Sequence, residues 1–215
     1  MINILCFGDS NTWGYDPETQ TRFSKKIRWT GVLQQLLGTN FNVIEEGLNG
    51  RTTNIEFPDL EGRSGASYII PCLYSHSPLD IVILQLGVND LKIIFNRGIR
   101  DIRDGIIEII NLIQNSLYGP DMQSAPQILL VAPPPLGHEG YKDADNISIF
   151  SGAMEKSLEF NRYFCEIAEI KNCHYLNLAD YVRYSHVDGL HLDHNGHKTT
   201  AKVMSEKIKK IFEDN

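Results

Sequence analysis

Five short apolar runs, at 2–7, 42–46, 80–86, 127–132 and 174–178, constrain the fold of this 215-residue chain more than any other feature. Ile81-Val82-Ile83-Leu84 and Ile128-Leu129-Leu130-Val131 are apolar without a break. A strand with one wet face alternates apolar and polar side chains, so an unbroken run must be covered on both faces, as in a parallel sheet between helices. Helix-period segments separate the runs. In 26–38, Ile27, Val32, Leu33, Leu36 and Leu37 recur at helical spacing and Gly38 closes the pattern. In 99–117, Ile102, Ile106, Ile109, Ile110 and Ile113 form a stripe. Met154, Leu158, Phe164 and Ile167 predict one helix over 151–170, and Ala201, Met204, Ile208, Ile211 and Phe212 another over 194–212, with Asp193 as its cap. A weaker helix is expected over 66–75. Strand and helix alternate throughout, which calls for a doubly wound α/β sheet with right-handed crossovers.

Charge narrows the function. Net charge is −7 and the cations are dispersed, so neither nucleic acid nor an anionic membrane is an expected partner. The dense basic stretch Lys207–Lys210 falls in the last turns of a helix, where lysine complements the helix dipole. Cys6, Cys72, Cys165 and Cys173 lack metal-type spacing and read as free thiols. The chain enters a strand pattern at once, without a basic leader or a long apolar core, so the expected location is the cytoplasm. No stretch approaches the roughly 20 apolar residues of a membrane span. Two longer irregular stretches, about 51–65 and 136–150, read as functional rims or lids, or as mobile loops.

In an open parallel sheet, ligands bind beyond the carboxyl ends of the strands. The first run is followed by Gly8-Asp9-Ser10-Asn11-Thr12-Trp13-Gly14, the second by Gly47-Leu48-Asn49-Gly50-Arg51-Thr52-Thr53, the third by Gly87-Val88-Asn89-Asp90 and the fifth by Asp188-Gly189-Leu190-His191. The fourth ends in the inert Pro133-Pro134-Pro135. Each block has a structural reading. Gly-Asp-Ser serves as a capping turn, the glycines as tight-turn residues, Asn89-Asp90 as a helix cap and Asp-x-x-His as an exposed loop pair. Their joint order, each after a strand, favours a site.

Together the four blocks resemble the SGNH (GDSL-type) hydrolases, with the Ser block at Gly8-Asp9-Ser10, the Gly block at Gly50, the Asn block at Gly87-Val88-Asn89-Asp90 and the His block at Asp188-Gly189-Leu190-His191. Asn11 departs from the leucine of the family's namesake motif. The stretches Arg28-Trp29-Thr30-Gly31-Val32-Leu33, Glu45-Glu46-Gly47-Leu48, Arg51-Thr52-Thr53-Asn54-Ile55 and Ala132-Pro133-Pro134-Pro135-Leu136 look like the arylesterase/acyltransferase branch. The resemblance implies a three-layer α/β/α sandwich on a flavodoxin-like five-stranded parallel sheet, in one domain over 1–215. It implies a serine esterase for short-chain or aryl esters, with acyl transfer to alcohols and homo-oligomerisation as properties known in that branch. Ser10 is then the nucleophile, His191 the base and Asp188 its orienting carboxylate. The Ser10 and Gly50 backbone N–H groups and the Asn89 amide form the oxyanion hole. Asn11 and Trp13 are candidates for the pocket wall, Trp13 equally for packing.

The expected partner is a small-molecule ester, with no cofactor. His191, His194 and His197 tempt as a metal site, but steps of three residues drift around a helix rather than converge. Gly196-His197 reads instead as a structural piece of the last block, and Asp9 and Asp90 as turn and strand-end hydrogen bonders. A carbohydrate O-deacetylase, thioesterase or lysophospholipase would share this chemistry. A flavodoxin-like binding module without turnover is the alternative from another class, although Gly8–Gly14 lacks the lysine of a phosphate cradle.

Overall fold

The apolar runs become five parallel strands in a computed structural model that describes residues 1–137 and 148–213. They are β1 (Ile2–Gly8), β2 (Phe41–Gly47), β3 (Ile81–Gln85), β4 (Gln127–Ala132) and β5 (His174–Asn177), in the order β2-β1-β3-β4-β5. Alternate side chains of each strand enter different cores. Leu5, Phe7, Val82, Leu84, Ile128 and Leu130 pack with α3 (Gly65–His76), α4 (Ile99–Gln114) and α6 (Phe160–Ile170). Ile4, Cys6, Ile81, Ile83, Leu129 and Val131 pack with α2 (Trp29–Leu37) and α7 (His194–Glu213). Two dry faces explain why these strands lack polar alternation, and they make the molecule the expected three-layer sandwich.

Helix boundaries follow local chemistry. Asp193 caps α7 through its Oδ1, which accepts the Gly196 N–H at 2.7 Å. Pro71 lies inside α3 and weakens its helical signature. The single helix expected over 151–170 is instead broken into α5 (Ala153–Ser157) and α6. The Ser157 hydroxyl donates to the Met154 carbonyl at 2.6 Å and accepts the Leu136 N–H at 2.9 Å. That local bond competes with helix continuation, and the chain tightens there. Leu158, placed in the apolar stripe by spacing, is therefore exposed.

The strand order reverses between β1 and β3. β1 pairs with β2 on one side and β3 on the other, so their crossovers leave in opposite directions and open a crevice at the carboxyl edge. The short helix α1 (Ser10–Trp13) and the 3₁₀ turn Asn89–Leu91 flank that crevice. The loop after β2 closes against them. A Cβ on Gly47 would lie 2.1 Å from the Trp13 backbone nitrogen, so only glycine permits this approach. After β5 the chain does not turn directly into the Asp188 block. The intervening segment buries Leu178, Val182 and Tyr184 in the α2–α7 core. Of the 51–65 loop, Thr52 bridges to Ser64 and Phe57 to Leu60. Most of the 136–150 loop lies outside the described residues.

Candidate active site

Ser10 is the first residue of α1. Asp9 caps this helix by accepting the Asn11 N–H at 2.9 Å. Its carboxyl is fully buried, and that burial pushes it up to about 6 against the Asn11 bond and the His191, Arg51 and Lys92 charges. Ser10 Oγ lies 2.9 Å from His191 Nε2, and His191 Nδ1 lies 2.6 Å from Asp188 Oδ2. The other Asp188 oxygen accepts the backbone N–H groups of Leu190 and His191, both at 3.0 Å. Burial works to raise the Asp188 carboxyl, but the His191 hydrogen bond and charge and those two N–H groups outweigh it and hold it below the usual range. The loop is fixed from both ends, since Ser185 N–H donates to the His191 carbonyl at 2.7 Å and Gly189 N–H to Ser185 O at 2.8 Å.

Gly50 and Asn89 line the same cavity as Ser10 and His191. Gly50 takes φ +78, a left-handed conformation that favours glycine. A Cβ there would meet its nearest neighbour, Arg63, only at 3.6 Å, so the need for glycine is conformational on this side. Asn89 Nδ2 donates one hydrogen to the Arg51 carbonyl at 3.1 Å, which fixes the amide and leaves its second hydrogen for a ligand. The Gly50 and Asn89 blocks are clamped together by Asp90. Its buried carboxylate accepts Thr53 N–H at 2.9 Å, Thr53 Oγ1–H at 2.5 Å and Arg97 at 2.7 Å. Burial raises the Asp90 carboxyl to about 6 despite these partners. Arg51 is buried, with its guanidinium 4.2 Å from the Phe7 ring centroid and donating to the Gly8 carbonyl at 2.9 Å. It ties the second block to the first.

Two expectations shift. Asn11 and Trp13 are not among the residues that line this cavity. The Asn11 side chain points across to the His191 loop, donating to Leu190 O at 3.2 Å and accepting Leu192 N–H at 2.9 Å. Trp13 lies beneath Arg22, whose guanidinium is 5.1 Å from the indole centroid. The wall is built instead by Tyr15 and Lys92, by Asn49 and Leu190 from the Gly and His blocks, and by Ile149 and Phe150 from the end of the 136–150 stretch. The Tyr15 ring centroid is 4.4 Å from that of His191. Lys92 closes the 3₁₀ turn Asn89–Leu91, donating its N–H to the Asn89 carbonyl at 3.3 Å. His197 is fully buried in α7 and accepts the Trp29 N–H at 3.2 Å through Nδ1. Among the described residues, the metal-ligating side chains that do converge are Glu46, Cys72 and His76, within 4.8 Å of one another. His76 already bonds Glu46 at 2.7 Å there.

A doubly wound sheet with Ser, Gly, Asn and His blocks at the crevice defines an acylhydrolase class. The chain belongs to the GDSL-like lipase/acylhydrolase family, whose model matches residues 6–199. Its structure is similar to that of an aryl esterase from M. smegmatis, at 36% identity and TM-score 0.91, over 98% of this chain and 99% of that one. A carbohydrate acetylesterase from Sinorhizobium meliloti is similar at 32% identity and TM-score 0.91, over 98% and 100% of the two chains. No curated protein matches the chain in sequence.

Proposed function

We propose that this chain is a serine esterase for small acetyl-type esters, working through an acyl-enzyme. The observation that carries the reading is the unbroken line of hydrogen bonds from Ser10 Oγ through His191 to Asp188. A serine hydroxyl needs a neighbouring base at neutral pH. His191 Nε2 takes the Ser10 proton as Oγ attacks the ester carbonyl. The oxyanion is held by the Ser10 and Gly50 N–H groups and the free Asn89 hydrogen. Collapse expels the alcohol, which receives its proton from His191. Water then repeats the sequence and frees the acid. Asp188 fixes the imidazole tautomer and stabilises its cation without taking the proton. An alcohol in place of water would give acyl transfer by the same steps.

Small substrates fit the space. The cavity holds about 190 Å³, below the roughly 300–1,000 Å³ of pockets for drug-sized ligands. The alcohol portion is aryl or sugar. The two named relatives differ in that respect, and the cleavage chemistry is the same for either. Hydrolysis of p-nitrophenyl acetate against longer acyl chains, with Ser10→Ala alongside, tests the reading. Turnover should fall with chain length and vanish in the variant. A wild type no faster than Ser10→Ala on every ester would move the binding-module alternative to the front.

A further inference from the structure

In a protein of net charge −7, one cation stands at the wall of the active-site cavity and a second packs behind the lining residue Gly50. Lys92 lines the cavity together with Ser10, Asn89 and His191. Its ammonium lies 4.6 Å from the Phe57 ring centroid and 5.6 Å from that of Phe150. These aromatic faces hold the lysine in place without neutralising it. Arg63 packs beside Gly50 and shares Phe57 as a neighbour, with its Nε buried and unpartnered. Among the described residues, neither cation forms an ion pair, whereas Arg22, Arg28 and Arg97 all do. Asp9 and Asp90 act on Lys92 only at longer range. Burial, with Arg63 adding to it, lowers the Lys92 ammonium to about 8 against the pull of those two carboxylates. A half-buried cation that, among the described residues, has no ion-pair partner and stands near a second cation is arranged to receive an anion.

Resting on the esterase reading above, we infer that Lys92 and Arg63 form an anion subsite that selects esters carrying a carboxylate. Lys92 offers a point charge and Arg63 a planar fork, so the two suit one carboxylate group rather than a spread of neutral hydroxyls. The subsite lies beside Gly50 and Asn89, so the substrate's anion is held on the oxyanion-hole side of the scissile carbonyl. There the cations offset the charge of the tetrahedral intermediate as well as that of the carboxylate.

Paired substrates test the inference and locate the carboxylate. For the alcohol side, 4-acetoxybenzoate is compared with its methyl ester. For the acyl side, monomethyl succinate is compared with dimethyl succinate. The readout is the ratio of kcat/KM for the charged ester to that for its neutral partner, within each protein, which cancels any general loss of activity. The wild-type ratio should exceed one for at least one pair, and the favoured pair assigns the side. Lys92→Met and Arg63→Met should each lower that ratio about tenfold, and Lys92→Arg should restore most of it. Wild-type ratios at or below one for both pairs, or ratios that Lys92→Met leaves within twofold, would overturn the subsite while leaving the esterase intact. Absence of Ser10-dependent turnover on all four esters would instead sink the esterase reading itself.

Discussion

Asn11→Ala is the substitution whose outcome the structure specifies most fully. Asn11 is buried, and its amide reaches across the fold to the two residues that bracket His191. Truncation leaves the Leu192 N–H and the Leu190 carbonyl without that partner, and both residues are buried. Each buried group left unpaired costs about 1–3 kcal/mol, so the loss in unfolding free energy should total about 2–4 kcal/mol after some relaxation. Asn11→Leu, which restores the namesake side chain of the family, refills the volume but supplies neither hydrogen bond, so it should recover less than half of that. The catalytic effect follows from geometry. The 2.9 Å contact between His191 and Ser10 depends on a loop that Asn11 pins on both sides. Misplacing a base by about 1 Å can cost on the order of 10²-fold. The fall should be in kcat with KM little changed, because Asn11 does not line the cavity. Urea unfolding followed by fluorescence of Trp13 and Trp29 gives the stability term, and p-nitrophenyl acetate kinetics the catalytic one. A variant within 0.5 kcal/mol and twofold of wild type would refute the pinning role.

Asn89→Ala should lower kcat/KM by about 10²–10³ while sparing the fold, the usual loss for one oxyanion donor; a fall under tenfold would remove Asn89 from that role. Asp90→Ala breaks a buried pair with Arg97 and frees Thr53, so urea unfolding should show a loss of about 3–5 kcal/mol. A loss below 1 kcal/mol would mean the two blocks are held by other contacts. His197 supplies a pH test. Burial lowers its folded-state value from 6.5 to about 4, so the unfolded chain takes up a proton first as pH falls. Its contribution is complete above about 6.5 and is lost down to about 4, a change on the order of 3 kcal/mol. Asp9 and Asp90 titrate in the same range with the opposite sign, so the reading is the gap between wild type and His197→Asn. That gap should shrink between pH 7 and pH 4.5, and a constant gap would contradict the assignment.

The sheet was legible because burial on both faces writes unbroken apolar runs, and β3 and β4 are the plainest cases. The 151–170 stretch departs from a single helix because one hydroxyl, on Ser157, bonds the Met154 carbonyl where the chain breaks, and apolar spacing does not register it. Three of the four blocks were readable as residues at strand ends, and the Asp188 block follows β5 only after an intervening segment. What joins the blocks was not readable. Asn11 meets Leu190 across 179 positions of sequence, and nothing local distinguishes an amide that lines a pocket from one that ties two loops. Arg51 and Lys92 are charged side chains, which read as surface until aromatic neighbours are seen to enclose them.

The central claim is that Ser10 is a nucleophile activated by His191. Mass spectrometry after incubation with an organophosphate tests it most directly. The account predicts one adduct per chain, on the peptide containing Ser10, absent from Ser10→Ala and slowed at least 10²-fold in His191→Ala. An unlabelled wild-type protein, or labelling that persists in Ser10→Ala, would contradict it.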